Sequence, residues 1–267
     1  MQNYIESNKK NWNERVHIHA KSQYYDIAGF LNGNSTLKGI ELNEIGDFKD
    51  KKILHLQCHF GLDTLSMARE GANVLGVDLS DKAIDLAREL AKQSRIDARF
   101  ICANVLELDK FLDEEFDVVF ASYGILCWIP DLIAWFGIGS KFLRDGGKLI
   151  LIDGHPINNM LEYNEMNELE IEYGYFNDGV NKGESKTTYV GDKQIQDNNL
   201  NFQWSHSMSD IIMGGLANGL KLVSFKEYPY TTYKKYPSMI EREDKYWEQT
   251  KYNIPLLYSV KFLKEEK

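Results

Sequence analysis

The chain has 267 residues, with 31 Lys and Arg against 40 Asp and Glu and a formal net charge of −9. That balance argues against a protein that grips phosphate backbones or anionic membranes by bulk charge, so neither a nucleic-acid nor a membrane partner is expected. With 43% hydrophobic residues, 12% aromatics and five prolines, the composition is that of a folded globular protein rather than a disordered or fibrous one.

Cys58, Cys102 and Cys127 make no CxxC pair and no disulfide framework, which fits a reducing cytoplasm. The opening MQNYIESNKKNW lacks the apolar run of an export signal. The weakly charged stretch from Val118 to Ser140 is interrupted by Tyr123-Gly124 and by Pro130-Asp131, so it does not read as a membrane span.

Residues 1–45 carry Trp12, Tyr24, Tyr25 and Phe30 among polar neighbours and read as an N-terminal cap. From Lys51 two hydrophobic periods alternate, as in an α/β protein. Lys52 to Gln57 is a buried strand, and Gly61 to Glu70 is a helix ended by Gly71. Asn73 to Val77 is a second strand stopped at Asp78, after which Ser80-Asp81 caps a helix through Leu90. Arg99 to Cys102, Phe116 to Ala121 and Lys148 to Ile152 continue the series, the last entered by the Asp145-Gly-Gly147 turn. Strands spaced by helices imply right-handed parallel crossovers.

Residues 46–156 therefore form the core, and 157–206 read as an insertion or lid. Within it Leu161 to Gly174 is expected to be helical and Thr187 to Val190 a short strand. Residues 207–267 complete the sheet. They supply a helix from Ser207, capped by Ser207 or Ser209, and strands at Leu220 to Phe225 and Leu256 to Phe262.

Ligands of open parallel sheets bind at the strand carboxyl ends. After the first strand comes Gln57-Cys-His-Phe-Gly61, a tight turn into a helix. After the second comes Asp78, placed to accept hydrogen bonds from both hydroxyls of a ribose. Gln57 and His59 stand where a GxGxxG fingerprint has its first two glycines, so the turn suits a cofactor without a pyrophosphate.

Ile53 to Gly61, Val77-Asp78, Ala103-Asn-Val105, Phe116-Asp-Val-Val119 and Leu143-Arg-Asp-Gly-Gly147 form an ordered series. It resembles the motifs of class I S-adenosylmethionine-dependent methyltransferases. The string LHLQCHFGLDTLS is similar to a bacterial small-molecule branch of that superfamily, and so are Trp204-Ser-His206 and Ile254 to Val260. The resemblance implies a Rossmann-like, seven-stranded, mostly parallel sheet with the last strand antiparallel. It also implies S-adenosyl-L-methionine as cofactor and a small-molecule methyl acceptor.

Carried over residue by residue, it sets Gln57, Cys58, His59 and Gly61 against the methionine portion and Asp78 on the ribose. Leu79 packs on the adenine, Asn104 meets its amine beside Val105, and Ser122 and Tyr123 line the floor near the sulfonium. This chain has His55 where the superfamily commonly has an acidic residue, and Asn104 where it often has Asp.

His55, Cys58 and His59 are zinc-ligand types, but no fourth ligand is near in sequence, and a packed turn is expected rather than a metal site. His17 and His19 read as surface or cap residues. Tyr25 and Trp12 either close over the cofactor as a lid or dock an N-terminal helix by their rings. Trp135 and Trp128 read as helix packing, with Trp128 alternatively a border of the pocket because it lies just past a strand end.

A hydroxyl or ammonium acceptor needs a base, and His155, in Asp153-Gly-His-Pro156, is the first candidate, with Asp153 its orienting neighbour, although His155 and His206 read equally as structural histidines bonded to backbone. His206 is the second and Tyr123 the third. Two other functions compete with methyl transfer, namely a non-catalytic S-adenosylmethionine or S-adenosylhomocysteine binder and a nicotinamide-dependent oxidoreductase. Titration with S-adenosylhomocysteine and NADH separates the last from the others.

Overall fold

Alternation along each central strand sorts the core into two layers. Leu54, Val119, Leu149 and Leu151 point to one face of a sheet, while Ile53, Val118, Ile150 and Ile152 point to the other. Both faces are covered, as a parallel sheet requires. The computed structural model describes residues 2–164, 168–191 and 197–266.

The main sheet has seven strands: β1 (Lys52–Leu56), β2 (Asn73–Asp78), β3 (Arg99–Cys102), β4 (Phe116–Ser122), β5 (Leu143–Gly154), β6 (Leu220–Tyr228) and β7 (Leu257–Lys264). Their order is β6-β7-β5-β4-β1-β2-β3. Only β7 runs antiparallel, against both β5 and β6. The strand order reverses between β1 and β4, which opens a crevice at their carboxyl ends.

The helices are α1 (Gln2–His19), α2 (Ile27–Leu31), α3 (Gly39–Ile45), α4 (Leu62–Arg69), α5 (Asp81–Ser94), α6 (Leu132–Phe142), α7 (Pro156–Met160) and α8 (Met208–Ala217). Their starts follow from local chemistry. Ser80 accepts from the Ala83 amide, Asp131 from the Ala134 amide, and Ser207 and Asp210 make a reciprocal capping box. Trp135 and Phe136 of α6 are fully buried and join Phe262 of β7 in one layer.

The insertion departs from expectation. Leu161 to Gly174 is not helical: Leu161–Tyr163 pairs antiparallel with Leu169–Ile171, while 165–167 lie outside the described residues. The physical reason is a period of two, which presents Leu161, Tyr163 and Leu169 together to Tyr236, Met239 and Leu256. Thr187 to Val190 makes only a single bridge, Thr188 to Gly191, because Thr188 and Tyr189 turn inward. The paired strands of this region are Val180–Glu184 and Leu200–Trp204. A three-stranded sheet between β6 and β7, spanning Tyr230–Thr231, Met239–Glu241 and Trp247–Gln249, has no counterpart in the sequence reading.

Helix α8 approaches the sheet through glycines. A Cβ built on Gly215 would lie 2.4 Å from the Phe262 ring, and one on Gly214 would lie 2.4 Å from Phe136. Gly215→Ala is expected to lower stability by about 1–3 kcal/mol despite the better helix propensity of alanine. The readout is a lower urea midpoint at unchanged slope.

Candidate functional site

The loop between β1 and α4 holds three residues in the left-handed region: Gln57 (φ 55°), His59 (φ 50°) and Gly61 (φ 74°). Two of the three carry side chains, a strain of order 1 kcal/mol each that neighbouring contacts must offset. Gln57 is tied at both ends, since its amide donates to the Ile125 carbonyl at 3.0 Å and accepts from the Trp135 indole at 3.0 Å. Cys58 points its thiol into the core against Gly76, where a Cβ would lie 2.8 Å from the sulfur. The Cys58 backbone is engaged as well, its N–H donating to the Val77 carbonyl and its carbonyl accepting from the Gly61 amide, both at 2.9 Å, so the turn is held on both sides.

His59 donates its amide to Asp78 at 2.8 Å, and the Ser80 amide reaches the other carboxylate oxygen at 2.8 Å. Each oxygen keeps a second lone pair. Burial raises the Asp78 carboxyl to about 6, partly offset by those backbone donors. Leu79, Asn104 and Val105 line the same end of the cavity, and Asn104 also caps the next turn by accepting from the Leu106 amide.

The floor is the loop after β4. Asp153 accepts backbone hydrogen bonds from Gly124, Ile125 (3.3 Å), Leu126 (3.0 Å) and Gly154 (2.7 Å). It therefore shapes the floor instead of orienting His155. Ser122, Tyr123, Cys127 and Trp128 face the cavity from this loop. The Tyr123 hydroxyl is buried beside Glu41 and Tyr246.

The roof comes from α1 and the insertion. Asn8 of α1 makes both hydrogen bonds to the Phe202 backbone, at 2.8 Å each, and Tyr4 packs on the Phe202 ring. Further along, Trp12 stacks edge-on with His59 and Trp128, and His19 lies 2.9 Å from the His59 ring. His19, expected at the surface or in the cap, has no solvent exposure and belongs to the cap, and burial lowers it to about 3. Tyr25 stacks on His19 and hydrogen-bonds Tyr189 of the insertion. The cavity is about 1350 Å³.

Residues 53–147 match the family model described as a methyltransferase domain. Over that stretch the chain is similar to a methyltransferase domain. A ubiquinone biosynthesis O-methyltransferase from Coxiella burnetii is 31% identical over 101 residues, which are 38% of this chain and 42% of that protein. One of the same name from Erwinia tasmaniensis is 29% identical over 133 residues, 48% of this chain and 54% of that one. The chain thus spans about half the length of the curated relatives it matches. Among solved structures, an S-adenosylmethionine-dependent methyltransferase from Mesorhizobium loti superposes with TM-score 0.59 at 18% identity, covering 87% of this chain and 99% of that one. The fold is that of the class I, S-adenosylmethionine-dependent enzymes, seven strands with one antiparallel.

Around this cavity the three proposed bases separate. His155 does not line the cavity: it is 2% exposed, its Nδ1 accepts from the Ile157 amide as the cap of α7, and its Nε2 lies 2.9 Å from Glu227. The strand-end position pointed to it, but the Pro156 turn swings the ring away. His206 does line the cavity, with Nε2 2.8 Å from the Ile129 carbonyl. Tyr123 lines it too, but burial pushes its phenol well above the usual range, so it acts as a donor and not a base near neutral pH. His55, for its part, is buried against Thr64 (2.8 Å) and Phe120, apart from the roof histidines.

Sequence reasoning missed Glu41, which is 1% exposed, lines the cavity and leaves Oε2 without a hydrogen bond. Burial first, and then Asp63, raises its carboxyl to about 7. No motif marks it, because it reaches the cavity only by the packing of α3. A buried acid whose folded pKa exceeds its unfolded value favours the fold below about 4.5 and loses that contribution as pH rises through about 7. Glu41→Gln is therefore expected to raise the melting temperature by about 5 °C at pH 8 and to change it little at pH 4.5. A lower melting temperature at both pH values would mean that the carboxylate itself is needed for folding.

Proposed function

We propose that this chain transfers the methyl group of S-adenosylmethionine to a small-molecule acceptor. The observation that carries the reading is one continuous cavity that joins Asp78, at the carboxyl end of β2, to an aromatic chamber roofed by α1 and the insertion. The residues present fit the cofactor. Asp78 has free lone pairs for two ribose hydroxyls, and Leu79, Asn104 and Val105 offer an apolar slot with one amide for the adenine. The strained Gln57 to Gly61 backbone faces the methionine portion, with Ser122 and Tyr123 below and Tyr25 above. Bound S-adenosylmethionine supplies an electrophilic methyl group on a sulfonium.

The chain's own work is then alignment, exclusion of water and removal of a proton. The roof of Trp12, Tyr25 and Tyr189 covers the acceptor, which favours a small molecule over a macromolecule. For an acceptor that reacts through a protonated oxygen or nitrogen, His206 is the base. Its Nε2–H donates to Ile129, its Nδ1 keeps the lone pair, and burial lowers its pKa so that the ring is neutral at pH 7. The family match ends at residue 147, ahead of His206 and the insertion, so the attacked atom is left as oxygen, nitrogen or sulfur. The two curated relatives are named as O-methyltransferases, which favours oxygen. Among the described residues no helix is long and apolar enough to cross a membrane.

Asp78→Ala is expected to weaken S-adenosylhomocysteine binding by about tenfold to a hundredfold in isothermal titration, the scale of one or two charge-assisted hydrogen bonds. Unchanged affinity, or preferential binding of NADH by the native chain, would remove the cofactor reading. Transfer of label from methyl-labelled S-adenosylmethionine into a metabolite extract tests turnover and separates the enzyme from a non-catalytic binder. His206→Ala should then cut turnover by about a hundredfold or more at unchanged cofactor affinity. His155→Ala should instead lower the melting temperature and leave turnover within a few fold, because it removes a buried helix cap. The reverse pattern would restore His155 as the base.

A further inference from the structure

Arg15 is a buried cation on the cavity wall with no counter-ion among the described residues. Its residue exposure is 6%, and its one protein hydrogen bond among the described residues runs from Nε to Asn11 Oδ1 at 2.7 Å. No Asp or Glu forms an ion pair with it among those residues. The groups that bear on it electrostatically are Tyr189, Cys127 and Tyr25, and burial pushes all three upward, so none is negative near neutral pH. The guanidinium carbon sits 5.1 Å from the Trp12 ring centroid and 5.5 Å from that of Trp128. Lys235, the other buried cation on this wall, is by contrast held by the carbonyls of Asn158 and Leu161 and by Glu162.

Burying an unpaired guanidinium is costly, and two indole faces offset only part of that cost. The terminal nitrogens remain free on the cavity side, in a planar fork that matches a carboxylate in two parallel hydrogen bonds. We propose that Arg15 is the anchor for a carboxylate on a ligand bound in this cavity. The inference rests on the cofactor reading above, because the same cavity holds both reactants. A carboxylate can reach Arg15 from either of them, from the amino-acid end of the cofactor or from an anionic acceptor whose flat body lies between Trp12, Trp128 and the roof tyrosines.

Isothermal titration of the full chain and of Arg15→Gln separates these sources. The first arm uses S-adenosylhomocysteine and 5′-methylthioadenosine, which share the nucleoside but not the carboxylate. The second titrates benzoate and benzamide, nearly isosteric but differing in charge, into the S-adenosylhomocysteine complex. If the carboxylate is the cofactor's, Arg15→Gln weakens S-adenosylhomocysteine at least tenfold and leaves 5′-methylthioadenosine within twofold. If it is the acceptor's, S-adenosylhomocysteine binding is unchanged. The native complex then prefers benzoate over benzamide at least tenfold, and the variant loses that preference.

Neither change in a folded variant overturns the proposal and makes Arg15 a packing residue between two indoles. Arg15→Lys, which keeps the charge without the fork, should give an intermediate loss in whichever arm responds, and it decides the matter if the glutamine variant does not fold. Failure of the native chain to bind S-adenosylhomocysteine at all would instead overturn the cofactor reading.

Discussion

The loop after β4 carries Tyr123, Cys127 and Trp128, and one carboxylate sets its path. Asp153, at the carboxyl end of β5, is 3% exposed and accepts the amides of Gly124, Ile125, Leu126 and Gly154. Four donors on one buried group give a charge-dense knot that compensates its desolvation. Burial raises the carboxyl while the four amides lower it. Gln57 then reads the position of this loop through the Ile125 carbonyl and passes it to α6 through the Trp135 indole. The edges of the crevice at β1, β4 and β5 are thereby joined by hydrogen bonds that converge on one residue.

That knot accounts for a loop built with little glycine. Gln57, His59 and Tyr123 all adopt left-handed backbone that glycine would accept without strain. At Gln57 the side chain bridges two elements. At His59 the ring joins the roof, within 5.3 Å of the Trp12 ring and in contact with His19. At Tyr123 the ring packs against the layer that holds Phe120, Ile152 and Tyr246. In each case the side chain makes a contact glycine cannot make, and that contact compensates the local strain.

The roof obeys a different rule. Helix α1 is polar over most of its length, and what docks it is a set of specific hydrogen bonds and ring contacts to the insertion. The Asn8 amide completes the edge of the 200–204 strand, the Asn11 amide donates to the Asn198 carbonyl, and Tyr25 reaches Tyr189. Contacts of this sort are directional and close an interior lined with aromatic faces, neutral imidazoles and one unpaired guanidinium.

The order of strands and helices from Lys52 to Gly154 was legible because hydrophobic periods of two and of 3.6 are local properties of the chain. Asp78 and the Gln57 to Gly61 turn were legible because strand ends are where a parallel sheet leaves backbone groups free. The Leu161 to Gly174 hairpin was not, since a short segment rich in acidic residues suits either period until Tyr236 and Met239 give its apolar face a partner. The sequence alone therefore determined the sheet, its crevice and the acidic residue at the β2 end. Tertiary structure decided that His155 turns away, that His206 and Glu41 face the cavity, and that Arg15 and His19 are buried in its roof. Side-chain direction at a strand end or on a polar helix is set by what packs against it, and those partners can lie far away along the chain, 194 residues in the case of Asn8 and Phe202.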